Sequence, residues 1–390
     1  MIENHTEQFV KDWTPLQTEE KNAETTTGVT VSYWQDVRRR LFQNKVAVGS
    51  IVVIILILLA SIFGPMLTGK DSQTQQLELR NMPPQIEIQT AADGTNFFVH
   101  PDLKVFLANA DGFVTKPLDP VSAVLKDKVF IYEYNGKTYY LSFSGDGIKF
   151  LDENHQPLPQ KKTIWNKNYL LGTDSIGRDM LTRLLEGGRV SLLVAFVVTI
   201  CTLLIGVIYG GFSGYYGGNT DIMMMRVVEI LNAIPSTIYV ILLMVYFGRG
   251  ISNILIAMAL TSWLGMAQLV RGQVLSLKEQ EYILAAKCAG VSPIKIILRH
   301  LLPNSIGPII VSATLSIPGA IATEAFMSLI GLGVKPPMPS WGILSADGVE
   351  ALRSSPYQIL LPSIAISLTM FAFNFLGDGL RDALDPRMRK

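Results

Sequence analysis

The chain has 390 residues, 49% of them apolar and only 17% charged, and its mean hydropathy is positive. That balance excludes an ordinary soluble domain and points to an integral membrane protein. A net charge of +1 offers no footprint for nucleic acid, and two cysteines, Cys201 and Cys288, cannot form a disulfide framework.

Residues 1–30 are polar and rich in Glu and Thr, without the short apolar stretch and cleavage site of a signal peptide. They read as a disordered tail. From Val31 to Lys45, Val31, Trp34, Val37, Leu41 and Phe42 recur at helical period beside Arg38, Arg39 and Arg40. An interfacial helix is expected there, completing a cytoplasmic region over 1–45.

A bilayer crossing needs roughly 20 apolar residues at about 1.5 Å each. Six segments qualify, near 46–68, 189–211, 225–247, 251–271, 305–333 and 358–380. Helices are required, because a strand exposed to lipid leaves backbone groups unpaired. Pro235, Pro308 and Pro318 fall inside these runs and are compatible with a packed bundle. Basic residues set the orientation. Arg38, Arg39, Arg40 and Lys45 precede the first run, Arg271, Lys278, Lys287, Lys295 and Arg299 follow the fourth, and Arg381, Arg387, Arg389 and Lys390 follow the sixth. With an even number of crossings all three clusters share one side, the cytoplasm, along with both termini.

The connection after the first run is too long to be structureless. Residues 72–162 read as a small extracytoplasmic β-rich insert. Asn135-Gly136 favours a type I′ hairpin, with Phe130, Tyr132 and Tyr134 on one strand and Thr138 and Tyr140 on the other. Asp93-Gly94 and Asp111-Gly112 are candidates for further turns.

Next comes LGTDSIGRDMLTRLLEGGRVSL, in which Thr173 or Asp174 is positioned to cap a helix with Ile176, Met180 and Leu184 on its apolar side. Asp174, Arg178, Asp179 and Arg183 are spaced for ion pairs, and Gly187-Gly188 reads as the helix end. Gly206 and Gly210 form a small-x-x-x-small pair suited to close helix contact. Asp221, Arg226 and Glu229 are read as solvated or interhelical ion pairs.

Between the fourth and fifth runs lies EYILAAKCAGVSPIKIILRHLLPN, residues 281–304. Gly290 is the natural stop for a first short helix, Ser292 is placed to cap a second, and Pro293 suits its first turn. Glu324 is the acidic residue deep in the fifth run, nine residues before Gly333 and therefore about 13 Å below the outer end. A carboxylate there faces the bundle or a water-filled path. It is a candidate pathway or gate residue, with an interhelical hydrogen bond as the alternative. Beyond it Pro336, Pro337 and Pro339 break the helix, Trp341 suits the membrane interface, and Ile343, Leu344, Val349 and Leu352 are spaced for a short returning helix.

Catalytic readings fall away. Gly64 to Lys70 imitates a phosphate-binding loop, but Asp71 stands where Ser or Thr would hold magnesium. His5, His100, His155 and His300 are too scattered for a metal cluster or a nucleophile–base pair.

The pattern Ala285-Ala286-x-x-x-Gly290, followed after nine residues by His300-x-Leu302-Pro303, resembles the EAA loop of bacterial ABC importer permeases. Leu284 takes the place of that family's glutamate. Gly172 to Asp179 (GTDSIGRD), Gly214 to Pro235 and Ser328 to Gly348 resemble the oligopeptide/dipeptide/nickel branch, of the second-permease type. The resemblance covers the first run, 46–68, and residues 170–390, but not the tail or the insert.

It implies an all-α polytopic membrane protein, six transmembrane helices in a type I ABC importer core with the β-rich insert added. It implies a non-catalytic bacterial cell-membrane subunit carrying peptides, or alternatively nickel or another small solute. The implied partners are a second, homologous permease, two ATPase subunits that alone bind ATP and magnesium, an extracytoplasmic substrate-binding protein, and surrounding lipid. On the coupling loop Ala285, Ala286 and Gly290 would be close-packing points, framed by Pro293 and Pro303. Lys287, Lys295, Arg299 and His300 would supply polar contacts. Pro337, Pro339 and Trp341 would meet the binding protein. A membrane sensor with an outer ligand domain and a stand-alone secondary transporter are the competing readings. Co-purification with two ATPase chains separates them.

Overall fold

A computed structural model describes residues 32–385 apart from 125, 144–146 and 159. The expected tail over 1–30, His5 and the basic residues Arg387, Arg389 and Lys390 lie outside the described residues. Helix α1 (Tyr33–Gln43) lies where an interfacial helix is expected, with Val37 and Leu41 packed against Leu380, Ala383 and Leu384 near the far end of the chain. Asn44 separates it from α2 (Lys45–Thr68) and caps α2, its Oδ1 accepting the amides of Val46 and Ala47 at 3.1 and 3.2 Å. Gly69, at φ 63°, ends α2 in the left-handed conformation.

Among the described residues the insert contains nine strands in two antiparallel sheets. One has the order β4-β3-β2-β1-β9, with β1 (Gln85–Thr90), β2 (Asn96–Val99), β3 (Val105–Ala108), β4 (Val114–Leu118) and β9 (Gln160–Trp165). The other runs β5 (Ser122–Val124), β6 (Val129–Tyr134), β7 (Lys137–Ser142) and β8 (Lys149–Leu151). Asn135 and Gly136, both at positive φ, close the β6–β7 hairpin, pairing Tyr132 with Tyr139. Gly94 and Gly112, also at positive φ, turn β1 into β2 and β3 into β4.

Alternation of side chains buries Phe97 toward the second sheet, against Tyr139 and Phe150 at centroid distances of 4.8 and 5.2 Å. Its neighbour Phe98 points to the opposite face and packs with Met82, Ile86, Ile88 and Phe106. The first sheet is therefore covered on both faces, by the second sheet and by the segment around Leu79 and Met82.

The membrane part is a helix bundle: α3 (Met180–Tyr216), α4 (Gly218–Asn232), α5 (Ser236–Phe247), α6 (Ile251–Leu277), α7 (Glu281–Cys288), α8 (Pro293–Ile296), a π turn (Ile297–Leu301), α9 (Leu302–Asn304), α10 (Ile306–Leu329), α11 (Trp341–Glu350) and α12 (Tyr357–Leu384). Among the described residues α2, α3, α6, α10 and α12 are each long and apolar enough to cross a membrane. The count rises to six if α4 and α5 form one broken span.

Three expectations need correction. The run 225–247 is not one helix: α4 and α5 meet at a 75° bend around Pro235, which cannot donate its amide to a continuing helix. The segment before 189–211 is not a separate surface helix, because α3 starts at Met180 and runs unbroken through Gly187-Gly188 to Tyr216. Its cap is neither Thr173 nor Asp174 but Asp179, whose Oδ2 accepts the Thr182 amide at 2.8 Å. The fifth helix ends at Leu329 rather than near 333, so Glu324 lies five residues from its end, about 7.5 Å by helical rise.

Glycines let α3 and α6 approach closely. A Cβ on Gly206 would come within 2.6 Å of Met266 Cβ, one on Gly210 within 2.3 Å of the Ala267 carbonyl, and one on Gly214 within 2.9 Å of the Arg271 carbonyl. The insert is stapled to the bundle by partly buried hydrogen bonds. Tyr357 Oη donates to the carbonyl of Thr173 or Met82, at 2.7 and 2.9 Å, and Gln358 Nε2 donates to Asn81 Oδ1 at 2.9 Å.

Candidate functional site: the 281–304 loop and the Glu324 cluster

The 281–304 loop folds as two short helices joined by a tight turn. Gly290 has φ 75°, and α7 closes with the Val291 amide on the Ala286 carbonyl at 3.1 Å and the Gly290 amide on Lys287 at 3.0 Å. That pair of bonds is a Schellman ending, which demands a left-handed residue at Gly290. Ser292 occupies the cap position of α8, but its hydroxyl makes no capping bond; its carbonyl accepts the Ile296 amide instead.

Ile283, Ile296, Ile297 and Leu301 are buried and join Met266, Val270 and Val274 of α6 and Ile309 and Ala313 of α10 in one apolar cluster. Leu203 and Val207 of α3 pack onto it. Lys287 places its Nζ 5.6 Å from the ring centre of Tyr215, on the last turn of α3. The loop is therefore packed against three long helices, α3, α6 and α10.

Among the residues singled out in the sequence, Ala285, Lys287, Gly290, Pro293, Lys295, Arg299 and Pro303 are exposed, and Ala286 and His300 are half-buried. The sequence reading missed an apolar component: Tyr282, Leu284, Ile294 and Leu298 are also exposed, Leu298 by 61%. Large apolar groups left in solvent on a short element are a mark of a docking surface. Leu284, the departure from the EAA pattern, is part of that apolar set.

On the insert side, Glu324 is fully buried. Its carboxylate accepts hydroxyls from Ser191 of α3 at 3.0 Å, Ser328 of α10 at 2.9 Å and Ser340, the cap of α11, at 2.7 Å. Ser191 Oγ also accepts the Trp341 amide at 3.1 Å. The interhelical hydrogen bond weighed for Glu324 is present, with hydroxyls from three elements around the carboxylate.

Trp341, expected at the membrane interface, is interior instead, 3% exposed, with its indole N–H donating to the Leu184 carbonyl at 2.9 Å. It fits because Gly188 has no side chain; a Cβ there would come within 2.7 Å of the indole. Pro339 is buried and Pro337 exposed, so the three residues do not form one surface.

Two ion-pair clusters fix the ends of α3. Asp174 accepts Arg178 Nε at 2.6 Å and Arg183 Nη1 at 2.5 Å, and Asp347 of α11 lies 3.8 and 3.6 Å from the same two guanidiniums. Asp174 and Arg178 belong to a turn rather than to one helix face. At the other end Asp221 holds Arg271 through two bonds, at 2.5 and 2.6 Å, while Arg226 pairs with Glu229 on the surface at 2.7 Å.

Residues 202–390 match the family model of the binding-protein-dependent transport system inner membrane component, and residues 32–84 match that of the N-terminal TM domain of oligopeptide transport permease C. The oligopeptide transport system permease protein OppC of Bacillus subtilis is 36% identical over 369 residues, spanning 95% of this chain and 94% of its own. The chain belongs to this permease family. The dipeptide transport system permease protein DppC of the same organism is 34% identical across 98% of this chain and 95% of its own. OppC of Escherichia coli is 35% identical across 92% of each chain. The protein is thus a multi-pass membrane permease of the ABC importer type, a subunit that carries no catalysis of its own.

Proposed function

We propose that this permease forms half of the path of an ATP-driven importer for oligopeptides or dipeptides. The observation that carries the substrate class is the near-full-length similarity to relatives named for oligopeptide and dipeptide transport. The chain crosses the membrane six times, α4 and α5 forming one broken crossing. Both termini and the 281–304 loop face the cytoplasm, and the insert faces outward. A second, homologous permease completes the path, and a substrate-binding protein delivers the peptide from outside.

Two ATPase subunits supply the energy, binding ATP and magnesium themselves. One of them docks on the exposed side of the coupling loop, with Leu284, Ile294 and Leu298 inserted and Lys287, Lys295 and Arg299 at the rim. Closure of the ATPases moves the loop, and its buried anchors carry that movement into α3, α6 and α10.

The test is uptake of labelled di- and oligopeptides by cells lacking this chain, with and without its restoration, together with co-purification of the complex. Restored peptide uptake and recovery of two ATPases with a second permease are expected. Unchanged peptide uptake on deletion would overturn the substrate, and recovery of this chain without ATPases would overturn the coupling.

A further inference from the structure

A cavity of about 360 Å³ opens where α2 and α3 reach the insert side of the membrane. Its apolar lining comes from Gly64 and Leu67 in the last turns of α2 and from Leu181 and Leu185 in the first turns of α3. Two lysines, Lys70 and Lys167, also line it. That volume falls within the roughly 300–1,000 Å³ of small-molecule sites. The two sets make different demands: the apolar residues suit hydrocarbon and the lysines suit an anion.

The two lysines are not equivalent. Lys70 is held in place, its Nζ bonded to the Asn168 carbonyl, 3.2 Å from Asp179 and 3.9 Å from the centre of the Tyr169 ring. Asp179 offsets its charge. Lys167 is exposed and, among the described residues, has no carboxylate within ion-pair distance; its Nζ rests 5.6 Å from the Phe113 ring centre. The site therefore carries one uncompensated positive charge among its apolar lining residues.

Its surroundings belong to the bilayer boundary. Met66 and Leu67, on the last turn of α2, are 81% and 85% exposed, a surface that lipid satisfies on a membrane-spanning helix. Trp165, the last residue of β9, and Leu170, in the loop that carries Lys167, are 55% and 50% exposed. An exposed tryptophan near a lysine is the composition of an interfacial anchor. A free anion has no use for the four apolar lining residues, whereas a lipid has use for both sets.

We propose that this cavity is a binding site for an anionic phospholipid of the leaflet on the insert side, with the phosphate at Lys167 and the glycerol and first acyl carbons against Leu67, Leu181 and Leu185. Binding there ties the insert to the bilayer at the junction of α2 and α3. The site does not depend on which solute the permease carries.

The test uses the full-length permease in nanodiscs of phosphatidylcholine with graded phosphatidylglycerol, followed by native mass spectrometry of the retained lipid. Wild type should retain phosphatidylglycerol in preference to phosphatidylcholine. Lys167→Glu should lower that retention roughly fivefold or more, because each basic residue near the surface contributes about that factor. Lys126→Glu, in the turn between β5 and β6 of the insert, should leave it unchanged. Leu185→Trp, which fills the cavity without altering charge, should also lower retention, with the thermal midpoint of each variant confirming that it is folded. Equal retention of the two lipids by wild type, or undiminished retention by Lys167→Glu, would overturn the proposal. Displacement of the lipid by millimolar inorganic phosphate would overturn it too, by making the site one for a free anion.

Discussion

Ser340 donates its hydroxyl to Glu324 at 2.7 Å while its oxygen accepts the Ile343 amide at 3.1 Å, so one serine joins α10 to the first turn of α11. Ser191 makes the same double use of its hydroxyl from α3, between Glu324 and the Trp341 amide. The carboxylate consequently sits against the start of a helix, where unpaired amides favour negative charge. A buried acid that would be costly in lipid is here surrounded by donors from three elements.

Glu324→Leu removes the acceptor for three hydroxyls in a closed space. A loss of about 2–3 kcal/mol is expected, since buried donors without partners are costly, and Glu324→Gln should lose about 1 kcal/mol by keeping one strong acceptor. Thermal unfolding of the purified complex measures both. A Leu variant as stable as wild type would remove the structural role of this cluster.

Local signals in the sequence were enough for local structure. Asn135-Gly136 specified the hairpin because a type I′ turn needs two residues at positive φ. Gly290 specified the end of α7 for a related reason. The partners of Glu324 were not legible, because Ser191 lies 133 residues away and a serine in a helix has no pattern that marks its role. Gly187-Gly188 misled for an instructive reason: glycine pairs end helices in isolation, but here they make room for Ser340 and Trp341 inside a continuous one. The bend at Pro235 was hidden because both flanks are apolar, and hydropathy does not register direction.

The α3–α6 contact yields a packing prediction. Gly210→Leu would force a side chain into the Ala267 carbonyl and Val270, both within 3.0 Å of the position of a first added carbon. Overpacking of this kind costs typically about 1–3 kcal/mol, more where backbone must move. Expression and thermal midpoint should both fall, and Gly265→Leu, which meets nothing within 4 Å, should be tolerated. Equal behaviour of the two variants would contradict the close contact.

Gly290→Asp separates folding from coupling. The added side chain meets no atom within 4 Å, so its structural cost is the backbone penalty at φ 75°, about 1 kcal/mol. The permease should assemble with a nearly unchanged thermal midpoint. Under the proposed docking, a charge and extra bulk at this turn should abolish substrate-stimulated ATP hydrolysis and uptake. Wild-type values for both would sink the coupling role of the loop.

The insert should loosen in mild acid through His100. Its ring is buried, with Nε2 3.0 Å from the Asn81 carbonyl and Nδ1 accepting the Asp102 amide at 3.1 Å, an arrangement that requires the neutral form protonated on Nε2. Burial holds its pKa below the ordinary histidine value, against the opposing pull of the Asn81 carbonyl and the Asp102 carboxylate at 3.8 Å, with Lys104 and Arg80 adding to the depression. A lowered folded-state pKa means that the unfolded chain binds the extra proton first. Stability is therefore full above about pH 6.5 and falls as pH drops below that value toward the folded-state pKa. Asn81 also receives Gln358 of α12, so the loss should appear at the staple between insert and bundle. Thermal midpoints of wild type and His100→Gln across pH 5 to 8 check this. The wild type should lose stability on acidification through that window, the variant should lose less, and parallel curves would show that His100 does not control the junction.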